Sequence, residues 1–77
     1  MSAEMQRVQF SSHVLEIGYD VEIGELSVRY APNVKYPAGR LVVYEGVDAQ
    51  TATEVISAPS VGGALWEFVR GKYETRG

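Results

Sequence analysis

The stretch HVLEIGYDVEIGELSVRYA, residues 13–31, decides the fold. Within it Leu26, Val28 and Tyr30 alternate with Ser27 and Arg29, the period of a strand with one buried and one wet face. Residues His13 to Tyr19 read as its partner strand. Between the two lies Asp20 to Gly24, a five-residue connection ending in glycine, which accepts the positive φ of a longer hairpin loop. An antiparallel hairpin follows from this pairing.

Toward the C-terminus, Pro32-Asn33 and Pro37-Ala38-Gly39 are turn and breaker signals, and the prolines keep their segment out of a sheet interior. Residues 32–39 are therefore treated as a loop, although Val34 and Tyr36 leave room for a short edge strand. A third strand, Arg40 to Gly46, is rich in β-branched and aromatic residues. Beyond it the period changes from two to about 3.6. Asp48 can cap a short helix in which Ala52, Val55 and Ile56 share a face, and Pro59 ends it. Ser60 can cap a second helix with a stripe of Val61, Leu65, Phe68, Val69 and Lys72 or Tyr73. The expected fold class is α+β: a three-stranded antiparallel β-meander followed by two short α-helices packed on one face. Residues 1–7 read as an N-terminal tail and 8–77 as a single domain.

A chain of 77 residues is one domain, and at this size folding hides only about 60% of the unfolded surface, so the core is thin. There is no cysteine for a disulfide or zinc site, and the single histidine, His13, cannot build a metal site alone. No metal or cofactor is expected, and self-association into a homo-oligomer is the expected extra source of stability. No segment approaches the roughly 18 apolar residues of a membrane span, so no membrane partner is expected and the cytoplasm is the default location. The net charge of −3 argues against long duplex DNA as a partner, because that affinity comes from cations displacing counterions along many phosphates. The charge is uneven, however. Residues 1–25 set Glu4, Glu16, Asp20, Glu22 and Glu25 against Arg7, whereas residues 26–44 carry Arg29, Lys35 and Arg40 with no acid.

Catalysis is poorly served. Ser11, Ser12 and His13 are contiguous, but strand neighbours point to opposite faces and do not make a nucleophile and base pair. Glu22 and Glu25 flank a turn where acids are ordinarily solvated. Binding is better supplied. In Pro59-Ser60-Val61-Gly62-Gly63, a capped helix start with two glycines exposes backbone amides to an anion; the bland alternative is a helix that packs closely on the sheet. Trp66, Arg70, Lys72 and Tyr73 interleave aromatics with cations, the combination that stacks bases while neutralising phosphates. Trp66 and Tyr73 bracket Val69, so at least one ring is expected in the core. Tyr30, Tyr36 and Tyr44 offer a second aromatic surface, or else cross-strand packing.

These residues also carry a family resemblance. Val8, Ser11-Ser12, Ile17-Gly18-Tyr19-Asp20, Leu26-x-Val28, Tyr44-x-Gly46-Val47, Ala58-x-Ser60-x-Gly62 and Val69-Arg70-Gly71-x-Tyr73 together resemble the KTSC domain, over residues 8–73. That family is found at the C-terminus of some lysyl-tRNA synthetases and as stand-alone bacterial and phage proteins, and RNA binding is what the attachment implies. The chain departs from the pattern at Val42-Val43-Tyr44, where the family has Tyr-x-Tyr, and at Val61 and Ala64, positions usually basic or aromatic. Its connection before the third strand is also longer. Losing a tyrosine and a cation removes a stacking platform and a phosphate contact.

The expected function is therefore a non-catalytic binding module for a nucleotide-like ligand, either a small signalling nucleotide sequestered by a phage-type protein or an RNA end. The candidate ligand-binding residues are Tyr36, Arg40, Tyr44, Ser60, Gly62, Trp66, Arg70 and Lys72, and alanine at Arg70 or Tyr44 is expected to weaken binding without unfolding the domain. The alternative is a protein-interaction or homo-oligomeric assembly module with no nucleotide ligand, since aromatics and arginine are enriched in interface cores.

Overall fold

The computed structural model describes residues 5–8 and 13–76. In chain order its elements are β1 (Gln6–Arg7), β2 (Val14–Asp20), β3 (Glu25–Tyr30), β4 (Arg40–Glu45), α1 (Ala49–Ile56), α2 (Val61–Phe68) and β5 (Glu74–Arg76). The strands form one antiparallel sheet in sequence order. The α+β class with two helices stands, but the sheet has five strands and not three. Both additions lie at the edges. Gln6 and Arg7, within the segment read as a tail, pair with Ile17 and Glu16, and Glu74–Arg76 pair with Glu45, Tyr44 and Val43. Runs of two and three residues are too short to show a period of two, so no alternation announces them. Residues 32–39 contain no strand and form the expected loop.

Strand β2 hides its phase through a bulge. Its register against β3 slips between Val14 and Glu16, leaving Leu15 as the extra residue turned outward. Val14 and Ile17, three apart, can then both face the core. The turn after β2 closes as anticipated: the Gly24 amide donates to the Asp20 carbonyl at 2.8 Å, with Gly24 at φ +68°. A side chain there would crowd the Val47 carbonyl at 3.3 Å.

Both helix caps are where the sequence puts them. The Asp48 carboxylate accepts from the Thr51 amide at 3.0 Å and its hydroxyl at 2.8 Å, and these bonds hold its pKa below the usual carboxylate range. The Ser60 hydroxyl accepts from the Gly63 amide at 3.3 Å. Ala52 and Val55 of α1, and Val61, Ala64 and Leu65 of α2, turn inward. The α2 stripe is shorter than expected. The amides of Val69 and Arg70 both donate to the Leu65 carbonyl, at 3.0 and 2.8 Å, which turns the chain off the helix after Phe68. Phe68 is left 39% exposed instead of joining the core, and Lys72 and Tyr73 lie beyond the helix.

The helices cover the sheet face that carries Ile17, Leu26, Val28, Val42 and Tyr44, and these pack with Ala52, Val55, Leu65 and Val69 in one cluster. Burying a side chain of this size contributes about 1.5–3 kcal/mol. One end of that face is tied shut. The Tyr19 hydroxyl donates to the Val47 carbonyl at 2.5 Å, the Val47 amide to the Gly24 carbonyl at 2.9 Å, and the Tyr73 hydroxyl to Asp48 at 3.3 Å. At the opposite end, where Tyr30 pairs with Val14 and Arg40, the face opens into a groove.

Candidate functional site

The groove has a volume of about 760 Å³, within the roughly 300–1,000 Å³ of small-molecule sites. Strands β3 and β4 supply its floor, the 32–39 loop one wall, and α2 with the following turn another.

The loop wall is held by its own backbone. The Asn33 side chain accepts from the Tyr36 amide at 2.7 Å, while the Asn33 and Gly39 amides donate to the Tyr36 carbonyl at 3.0 and 2.9 Å. Asparagine suits this position because its short amide closes a turn two or three residues on. Gly39 sits at φ +81°, and a Cβ there would stand 2.8 Å from the Tyr30 carbonyl, so only glycine lets the loop lie this close to the sheet. The result presents Tyr36. The Arg40 guanidinium lies over that ring, 4.9 Å from its centroid, and donates to its hydroxyl at 3.1 Å; the Lys35 ammonium stands 5.7 Å from the same centroid.

On the floor, Tyr30 and Tyr44 bring their hydroxyls to 2.7 Å of one another. Burial and then this bond push the Tyr30 pKa well above that of a free phenol, with Arg40 and Arg70 acting in the opposite sense. That hydroxyl therefore stays protonated and serves as a hydrogen-bonding group. On the helix wall Trp66 is 68% exposed, and the Arg70 guanidinium lies over its ring, 4.6 Å from the centroid. Ser60, Gly62 and Gly63 present the start of α2 to the same cavity. Among the described residues no aspartate or glutamate lines it.

Seven of the eight candidate residues, Tyr36, Arg40, Tyr44, Ser60, Gly62, Trp66 and Arg70, meet in this groove. Lys72 does not: its ammonium donates to the Glu67 carbonyl at 2.7 Å and satisfies the end of α2. Tyr44 contributes little but its hydroxyl, since it is only 4% exposed and belongs to the core. Alanine there would open a core cavity, so at Tyr44 a loss of binding could not be separated from a loss of fold. Of the rings bracketing Val69, Tyr73 packs against the core and Trp66 is exposed. The groove also gathers His13, Tyr30, Asn33 and Thr75, which sequence reasoning did not place in the site. Of these Tyr30 carried a signal, as the last inward position of its strand's alternation and as a member of the aromatic surface it forms with Tyr36 and Tyr44. The Ser11-Ser12 motif lies outside the described residues.

Compared with known families, the chain matches the KTSC domain over residues 10–73. Among solved structures it is similar to that of a KTSC domain protein from Yersinia pestis, with a TM-score of 0.83 and 28% sequence identity, covering 97% of this chain and 96% of that one. None of the curated proteins matches it.

Proposed function

From the premise that the chain belongs to the KTSC domain family, we propose that its groove is a non-catalytic binding site for a nucleotide-like ligand, a small signalling nucleotide or an RNA end. One observation carries this reading. In a chain with ten acids and seven lysines and arginines, the groove holds Arg40 and Arg70, each against an aromatic ring, and none of the acids lines it among the described residues. The overall charge disfavours coating a long polyanion, but a ligand with one to three phosphates needs only a few local cations. The Trp66 and Tyr36 rings give bases a surface to stack on, and amides at the start of α2 favour an anion.

A thermal-shift screen of the full chain against mononucleotides, dinucleotides and short RNA tests it. Ligand at a hundredfold excess over its Kd stabilises by about 2.7 kcal/mol, which in a domain this small raises the melting temperature by roughly ten degrees or more. The second reading, a homo-oligomeric assembly module, draws on the uncovered face of the sheet, where Leu15 is 37% and Leu41 41% exposed. Light scattering separates the two. A stable oligomer indifferent to every nucleotide favours assembly, and ligand-dependent melting favours the groove.

A further inference from the structure

Resting on that reading, we infer that the groove recognises two nucleosides joined by a phosphodiester, and not a single nucleotide. The cation–aromatic pair occurs twice in one cavity. Arg40 lies on Tyr36 from the loop wall, and Arg70 lies on Trp66 from the helix wall. A mononucleotide has one base and uses one such platform. A second platform, on a different element but lining the same groove, matches a second base.

The cations point to the same unit. A guanidinium carries five N–H donors in one plane, and two of them match the oxygens of a phosphate. Arg40, Arg70 and the Tyr30 and Tyr44 side chains line the same cavity, and the two tyrosine hydroxyls meet at 2.7 Å. A phosphate linking two stacked nucleosides would lie between the platforms, with Arg40, Arg70 and the Tyr30–Tyr44 hydroxyl pair around it. Free dinucleotides and single-stranded RNA ends both present this chemistry.

Isothermal titration of the full chain tests the inference. The probes are the four 5′-mononucleotides, the four 5′-phosphorylated homodinucleotides and the corresponding single-stranded hexanucleotides. The expected result is at least one dinucleotide bound about tenfold or more tighter than its mononucleotide, the increment a second stacked base supplies. Trp66→Ala and Tyr36→Ala are each expected to bring that dinucleotide to mononucleotide affinity, whereas Tyr36→Phe keeps the stacking face and most of the affinity. Unshifted melting temperatures of the unliganded variants separate lost contacts from lost fold. A hexanucleotide bound as tightly as the dinucleotide identifies a strand as the source; one bound at least tenfold more weakly identifies the free dinucleotide. Equal affinity for mononucleotide and dinucleotide, or a dinucleotide advantage insensitive to either ring, overturns the inference and leaves the nucleotide reading intact. Binding of none of the probes removes both.

Discussion

The two faces of one sheet treat charge in opposite ways. On the outer face arginine is matched to carboxylate: Arg29 donates to Glu16 at 3.0 Å and Arg76 to Glu25 at 2.8 Å. On the inner face, past the cover of α2, Arg40 and Arg70 lie on aromatic rings in a groove that no acid lines among the described residues. Arg29 and Tyr30 are neighbours in β3, so a step of one residue separates the ion-paired surface from the groove. A net charge of −3 therefore averages two unlike surfaces and says little about either.

That contrast can be broken at its foundation by Leu26→Ala. Leu26 is fully buried between the sheet and the helices, and truncation is expected to cost about 2–5 kcal/mol, read as a lower denaturation midpoint and the loss of both surfaces together. Arg70→Gln tests the inner face alone. It is expected to weaken nucleotide binding by about 1.5–3 kcal/mol, roughly tenfold to a hundredfold by titration, with little change in melting temperature. Gly39→Ala attacks the groove through its wall. A residue with a Cβ at this positive φ costs about 1–2 kcal/mol, and the 2.8 Å approach to the Tyr30 carbonyl adds to that, so stability and affinity should fall together.

A pH titration sharpens the comparison further. Because the Tyr30 pKa is raised on folding, first by burial and then by Tyr44, its contribution is full below the unfolded phenol value of about 10. It is lost as pH climbs from there toward the folded value. Melting temperatures are expected to drop across that alkaline range in the native chain and to drop less in Tyr30→Phe. The smallest effect belongs to the outer face. Glu16→Gln removes a pair whose side chains are 38% and 47% exposed, and it should change stability by less than about 1 kcal/mol and leave binding unaltered. A nucleotide affinity that fell more in Glu16→Gln than in Arg70→Gln would put the site on the wrong face.

The sequence made the central hairpin, the third strand and both helix starts legible, because each has a local cause: alternation at Leu26, Val28 and Tyr30, breakers at Pro32 and Pro37, and capping oxygens on Asp48 and Ser60. The edges stayed hidden, since Gln6–Arg7 and Glu74–Arg76 join the sheet through backbone pairing that no side-chain pattern reports. Much the same divides the site. Aromatic and cationic residues on α2 and β4 were visible as types, whereas Asn33 and Thr75 enter the groove only because distant segments fold together. Lys72 shows the converse error. Its charge suggests a phosphate contact, but where α2 stops decides its partner, and that stop is set by two amides sharing the Leu65 carbonyl.

The short outer strands carry a consequence for self-assembly. With Gln6–Arg7 at one margin and the exposed Glu74–Arg76 at the other, the marginal strands of the described residues are only two and three residues long and include two arginines and a glutamate. Brief, charged margins resist the strand-by-strand growth that turns a sheet into a fibre.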